Sequence, residues 1–473
     1  VLWNIFIGRT RRTEKDMHDM HGLMAGAWVA GCVLLAAPVT NQGVETTGWK
    51  AGVARADITP GEPVWMAGYA SRTHEADGTL LTLFVKALAI EDASGRKALI
   101  VTSDTLGFPR DLAERVRGRL KASLGLEREQ VVLCGSHTHS GPVLRDSLSA
   151  IYPLNGAHVE AIERYSVQFE DRVVECAAAA FDALAPARLS SANGVARFAV
   201  NRRNNREAEI LDTHDLKGPV DHAVPVLRVD RADGGLLAVL FGYACHATTL
   251  DIYQWSGDYP GFAQAELEAA HPGATALFFA GCGADQNPLP RRTVALARQY
   301  GRELAAAVER VLEDPMTPID GRLDLKQTEV ELALAPAPSR DHWAELAAGS
   351  SWQAAAAKAF LADLDAGKSL PSSYVYPIHV WRLGGLTMVA LGGEVVVDYA
   401  VAIKKELGRD VFVMGYCNDV MAYIPSERIL KEGGYEGGSA QMAYGLPSPW
   451  AEGIESRILN AVYELAKSDP PVK

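Results

Sequence analysis

The chain is short of cysteine: six in 473 residues, with no C-x-x-C pair. That excludes a disulfide scaffold and a zinc-finger framework. It also lacks an excess of basic charge, since 46 Lys and Arg stand against 58 Asp and Glu, a formal net charge of −12. Sequence-independent binding to phosphates needs clustered cations. Beyond the pairs Arg11-Arg12 and Arg202-Arg203 there is no basic stripe, so nucleic acid is excluded as the main partner. No internal repeat and no low-complexity linker divides the chain. The most apolar stretch, residues 25–39, is shorter than the ~20 residues of a membrane-spanning helix, so no stable membrane span is expected. With 48% hydrophobic and 22% charged residues the composition is neither disordered nor fibrous and supports a large core.

The amino terminus carries Arg9, Arg11, Arg12 and Lys15 ahead of an uncharged stretch, 22–42, with Ala36 and Ala37 near the end of its apolar part. This pattern predicts an export signal and spacer over 1–45, a secreted or periplasmic protein, and a functional domain over 46–473. Export leaves a disulfide such as Cys245 to Cys282 open. The simpler reading has the cysteines as small buried hydrophobes packed around a site.

From Ala51 onward short apolar runs alternate with longer amphipathic stretches. Residues 81–90, 98–102 and 131–134 read as strands, with a helix over 111–124. A long Ala-rich helix is expected over 157–185. Strand-length apolar runs follow at 236–245 and 274–280, then a strongly periodic helix over 293–313. The polar, Ala-rich segment 336–373, helical over 354–365, reads as an insertion. Strands resume at 376–381, 386–391 and 411–414, and 448–467 reads as one closing helix. This alternation predicts an α/β fold, a large single catalytic domain with a mostly buried mixed sheet flanked by helices.

Chemistry-bearing residues sit where the strands are expected to end. GSHTHSGP, residues 135–142, directly follows the strand 131–134. If the chain stays extended there, His137 and His139 point to one side, because strand side chains repeat with period 2. Two imidazoles at a strand's carboxyl end serve as metal ligands, or as one ligand beside a proton donor; the other reading is two surface histidines in a Gly/Ser loop. FGYACHATT, residues 241–249, repeats the arrangement with His246, which strengthens the metal reading. Asp258, in SGDYPG at 256–261, reads first as a helix cap and second as a carboxylate supporting a site. In FFAGCGADQNP, 278–288, glycines let the backbone near Asp285 and Gln286 approach a ligand, or simply make a tight connection. Asp104, Asp258 and Asp285 all lie at expected strand ends, where acids bridge a second metal ion or, more simply, cap the backbone. Glu394 ends a strand in LGGE, 391–394, and two loop segments follow, GYCNDVMAY at 415–423 and GGYEGG at 433–438.

Together with GVARADITP at 52–60, MAGY at 66–69 and VNR at 200–202, these motifs run in an order that resembles the neutral/alkaline, non-lysosomal ceramidase family, from about Gly52 to about Gly438. The resemblance implies a zinc-dependent amide hydrolase that releases fatty acid and sphingosine from ceramide. It implies one Zn2+ ion held by His137, His246, Glu394 and Tyr423. His139 and Arg202 would hold and polarise the amide carbonyl, and Tyr435 would stabilise the charge developing on its oxygen. A catalytic zinc keeps one position open for water and lowers that water's pKa to about 7. On this scheme hydroxide attacks the carbonyl carbon, His139 and Arg202 offset the oxyanion, and His139 or an acid of the Asp285 turn protonates the leaving nitrogen. No cysteine is a ligand in the family pattern.

Two departures bear on substrate. The family's Gly-x-x-Ser-Pro-Asn turn has no serine counterpart here, since no Ser or Thr occurs from Ala280 through Arg292. About 35 residues follow Gly438, too few for the immunoglobulin-like domain of roughly 100 residues that such ceramidases carry, so none is expected. The expected function is hydrolysis of an N-acyl bond in a small-molecule or lipid amide, ceramide itself or another. A protein that keeps the fold and only binds is the alternative; the intact set of four ligands and Arg202 speaks against it. The sequence leaves the oligomeric state open.

Overall fold

Runs without a polar face fold as strands covered on both sides. In Thr275–Ala280, residues Ala276, Phe278 and Ala280 enter one core while Leu277 and Phe279 enter another. In Lys97–Ser103, Leu99 and Val101 are likewise opposed to Ala98 and Ile100. The structure, a computed structural model, describes residues 48–467; the expected export signal over 1–45 lies outside the described residues.

Nine strands form one mixed sheet. Its order is Thr275–Ala280, Leu236–Tyr243, Ala223–Arg231, Ala185–Val195, Trp49–Asp57, Phe84–Glu91, Lys97–Ser103 and Val131–Gly135, with Thr317–Ile319 beside Ala185–Val195. The outermost pairs are parallel and the inner ones antiparallel. Between its halves the sheet narrows, because Trp49–Asp57 meets Ala185–Val195 only through Trp49, Lys50 and Ala51. A second sheet of four strands, Leu323–Ala333, Ser373–Leu383, Leu386–Leu391 and Phe412–Met414, packs against the first. Trp49, Ile100, Leu240 and Phe279 of the large sheet share one core with Leu325, Trp381, Met388 and Phe412 of the small one.

Helices cover the outer faces. Helices α1 (Arg110–Leu124) and α2 (Gly156–Asp182) pack on one half of the large sheet, and α3 (Asp258–Ala270) and α4 (Val294–Glu313) on the other. The insertion holds two helices, α5 (Arg340–Ala347) and α6 (Trp352–Asp365), whose Trp343 and Phe360 pack with Ala150 and Met442. Helix α7 (Val397–Leu407) covers the small sheet, the short α8 (Glu427–Glu432) leads into the turn that carries Tyr435, and α9 (Ile454–Ala466) packs beside α7. The expected α/β fold with a mixed sheet is present, with a second sheet added between the first and one helix layer. The closing helix starts at Ile454, not at 448, because Gly453 at φ 95° breaks the run ahead of it. All five described cysteines are free and buried, so Cys245 and Cys282 are not cross-linked; the close contact is Cys134 Sγ to Cys417 Sγ, 3.5 Å. Among the described residues no helix is long and apolar enough to cross a membrane.

Candidate metal centre

The strand Val131–Gly135 stops before His137, and the chain does not stay extended: His137 has φ 59°, in the left-handed region. The period-2 expectation therefore fails there, yet the imidazoles still converge, with His139 Nε2 3.2 Å from His137 Nε2. Main-chain bonds between loops do the aligning. His137 N donates to Thr105 O (3.1 Å), and His139 N to Ala247 O (3.2 Å) in the loop that carries His246. His246 N donates to Gln286 O (3.0 Å). Residues 415–418 lace both edges of the large sheet together, Gly415 N to Ala280 O (2.9 Å) and Asn418 N to Leu133 O (2.7 Å), while Tyr416 N reaches Gly393 O (3.0 Å). Glu394 and Tyr423 are register partners in a two-residue parallel pairing, so one short ladder sets both.

Proton positions follow from the partners. His137 Nδ1 lies 2.7 Å from the Leu106 carbonyl and His246 Nδ1 2.8 Å from that of Gly283. A carbonyl only accepts, so each Nδ1 carries the hydrogen and each Nε2 presents a lone pair. Those lone pairs face Glu394 Oε2 at 3.2 and 3.1 Å. Burial, reinforced by Arg202, pushes His246 down to about 4, and burial holds His139 well below the usual imidazole range. Acceptors facing one another at hydrogen-bond distance with no proton between them fit a cation, and imidazoles beside a carboxylate suit zinc. Tyr423 OH, 3.3 Å from His246 Nε2, adds an oxygen. A second, overlapping set exists: the ligand atoms of His137, His139 and His246 all lie within 4.8 Å of one another. His139 Nδ1 is buried and, among the described residues, has no hydrogen-bond partner.

Arg202 follows the strand Ala199–Asn201, and its N donates to Asp285 O at 2.9 Å. Its guanidinium reaches Tyr423 OH (Nη2, 3.2 Å), Asn287 Oδ1 (Nη1, 3.3 Å) and Glu436 Oε1 (Nε, 2.8 Å). Tyr435, half-exposed, meets the Tyr423 ring edge-on with centroids 5.2 Å apart. His137, His139, His246, Glu394, Tyr423, Arg202 and Tyr435 thus come together. Four other candidates, Asp258, Asp285, Gln286 and Asp104, are engaged by the scaffold. Asp258 is the first residue of α3, after Gly257 in the cap position, and takes Leu250 N (2.8 Å) and Tyr259 N (2.6 Å). Asp285 takes Asn201 Nδ2 and Val397 N, both at 2.9 Å, and Gln286 reaches Pro219 O at 3.3 Å. Asp104 takes Phe84 N at 2.9 Å. The three acids brace loops. Residues given no role in the sequence also contribute. The Tyr416 ring lies 4.3 Å from that of His137, and Glu436 accepts from both Arg202 and Arg203. Gly68, within the MAGY motif, packs directly on His139.

Fold and site together define an α/β protein with a buried histidine centre suited to a metal ion. A family profile described as neutral/alkaline non-lysosomal ceramidase, N-terminal, matches residues 49–286. The chain belongs to that family and is a ceramidase-family hydrolase. It is 25% identical to the neutral ceramidase of Pseudomonas aeruginosa across 90% of this chain and 73% of that one. Neutral ceramidase A of Dictyostelium discoideum is 26% identical across 49% of this chain and 34% of that relative. Among solved structures, a ceramidase described as complexed with C2 superposes with a TM-score of 0.66 at 22% identity, covering 89% of this chain and 77% of that one. The crystal structure of the Pseudomonas aeruginosa neutral ceramidase gives the same TM-score, covering 75% of that chain.

Proposed function

We propose that the chain is a zinc-dependent hydrolase of a carboxamide N-acyl bond, with residues 46–473 as its catalytic domain and His137, His246, Glu394 and Tyr423 as ligands of one Zn2+ ion. The observation that carries this reading is the convergence of two imidazole lone pairs on a single oxygen of a buried carboxylate, with both tautomers set by backbone carbonyls. Zinc, when bound, supplies Lewis acidity and a water that ionises near neutral pH. Everything else falls to the chain. Arg202, held by three partners, presents fixed positive charge where a carbonyl oxygen turns negative, and Tyr435 adds a phenolic donor beside it. A group already oriented needs little reorganisation during reaction. His139, kept neutral by burial, would take a proton from the attacking water and pass it to the leaving nitrogen. Asp285, whose oxygens accept from Asn201 Nδ2 and Val397 N, is given a scaffold role, and proton delivery is assigned to His139.

The named activity of the relatives makes ceramide the first substrate to test. The turn without a serine makes short N-acyl amines the second. The experiment is fatty-acid release from both, with and without a chelator. Zinc-dependent release supports the proposal; release from every substrate that persists after complete zinc removal overturns it. Export through residues 1–45 is part of the same proposal, checked by the amino-terminal residue of protein recovered outside the cytoplasm.

A further inference from the structure

Only one of the two Glu394 oxygens faces the histidines. Oε2 lies against His137 Nε2 and His246 Nε2, while Oε1 accepts a hydrogen bond from the Tyr444 hydroxyl. The segment that carries Tyr444 also holds the neighbouring candidate ligand, since Gln441 Nε2 (3.4 Å) and Trp450 Nε1 (2.7 Å) both donate to Tyr423 O. That segment rests in turn on the insertion, where Met442 packs with Trp343 of α5 and Phe360 of α6. We infer that Tyr444 is a positioning residue for the metal centre: its phenolic proton engages Glu394 Oε1 and leaves Oε2 as the single ligating oxygen. The inference rests on the zinc reading above.

The chemistry gives this contact a consequence. A carboxylate free to rotate presents both oxygens to a cation, and a chelating carboxylate takes up a coordination position that a catalytic zinc keeps open for water. A donor fixed on the far oxygen prevents that rotation. Such supporting partners of a ligand typically govern 10- to 100-fold in metal affinity.

Tyr444→Phe keeps the ring and removes the proton. Zinc affinity, measured by competition with a chelator of known strength, should fall about 10- to 100-fold, and the visible spectrum of the cobalt(II)-substituted protein should change as its coordination changes. Met442→Ala loosens the same segment without touching Glu394 and should leave the cobalt spectrum as in wild type, which separates positioning from packing. A second measurement needs no variant. In the zinc-minus-metal-free infrared difference spectrum of wild type carrying labelled glutamate, a carboxylate bound through one oxygen is expected, and a chelating one overturns the inference. Wild-type zinc affinity together with an unchanged cobalt spectrum in Tyr444→Phe also overturns it. A wild-type chain that binds no stoichiometric zinc overturns the functional proposal itself, an outcome distinct from either.

Discussion

His139 has the least direct support of the three imidazoles, and its neighbours show how it is kept in place. Among the described residues its Nδ1 has no hydrogen-bond partner, the Tyr69 ring lies 4.8 Å from its own, and Arg72 Nη2 donates to its carbonyl at 2.7 Å. Gly68, at φ 94°, sits so close that an added Cβ would fall 2.4 Å from the His139 ring. Gly68→Ala should therefore displace His139 while sparing the four proposed ligands: zinc content unchanged, kcat/KM on an N-acyl substrate lower by at least about tenfold. Arg202→Lys tests the oxyanion role. A lysine cannot address Tyr423, Asn287 and Glu436 from one planar fork, so kcat should fall about 100-fold with zinc retained. Equal kcat in wild type and variant would contradict that role. At this scale the sequence motifs pointed to the residues with chemical side chains. They could not point to the carbonyls of Leu106 and Gly283, which set the tautomers, because a carbonyl acceptor has no side-chain signature. Tyr444 and Glu436 were equally hidden, since their partners lie far away along the chain.

Elements were legible in proportion to how uniformly they are buried. The runs 98–102, 131–134 and 274–280 are apolar on both faces and form strands within a residue or so of expectation. Ala185–Val195 and Leu323–Ala333 carry polar residues along much of their length, so their pattern is that of half-covered strands and gives a weaker signal. Helix α5 was missed because only Trp343 of its eight residues is buried. The segment 415–423 makes a prediction of its own. Asp419 is buried, and burial pushes its carboxyl up to about 6 against the pull of Arg110 and Tyr374. Its unfolded value is about 3.9, so the folded state holds this proton more tightly. The group's contribution to stability is thus full below about pH 4 and lost as pH rises through about 6, on the order of 3 kcal/mol for two pKa units. Asp419→Asn removes that dependence. Denaturant unfolding of both proteins at pH 4 and pH 7 should show wild type gaining on the variant at the lower pH; a difference that does not change with pH would contradict the assignment.

For the molecule as a whole, the candidate ligands come from loops beyond the large sheet and from the short pairing of Glu394 with Tyr423, and they span the chain from His137 to Tyr423. A metal held by all of them binds the folded chain and not the unfolded one, so it stabilises by mass action, about 4 kcal/mol at a thousandfold excess over Kd. Chelation should lower the calorimetric melting temperature of wild type and leave that of His246→Ala unmoved. The two-sheet packing was the least legible feature, because a strand's sequence shows that both faces are covered without saying whether helix or sheet covers them. The loops that deliver the ligands are joined by N–H to carbonyl bonds, such as Gly415 to Ala280, Tyr416 to Gly393 and His139 to Ala247. Bonds of that kind do not depend on which side chain a residue carries, so they constrain the loop sequences less than side-chain bonds would, in keeping with a fold shared at 22% identity. The one replacement such a lattice cannot absorb is the imino acid that has no N–H to give.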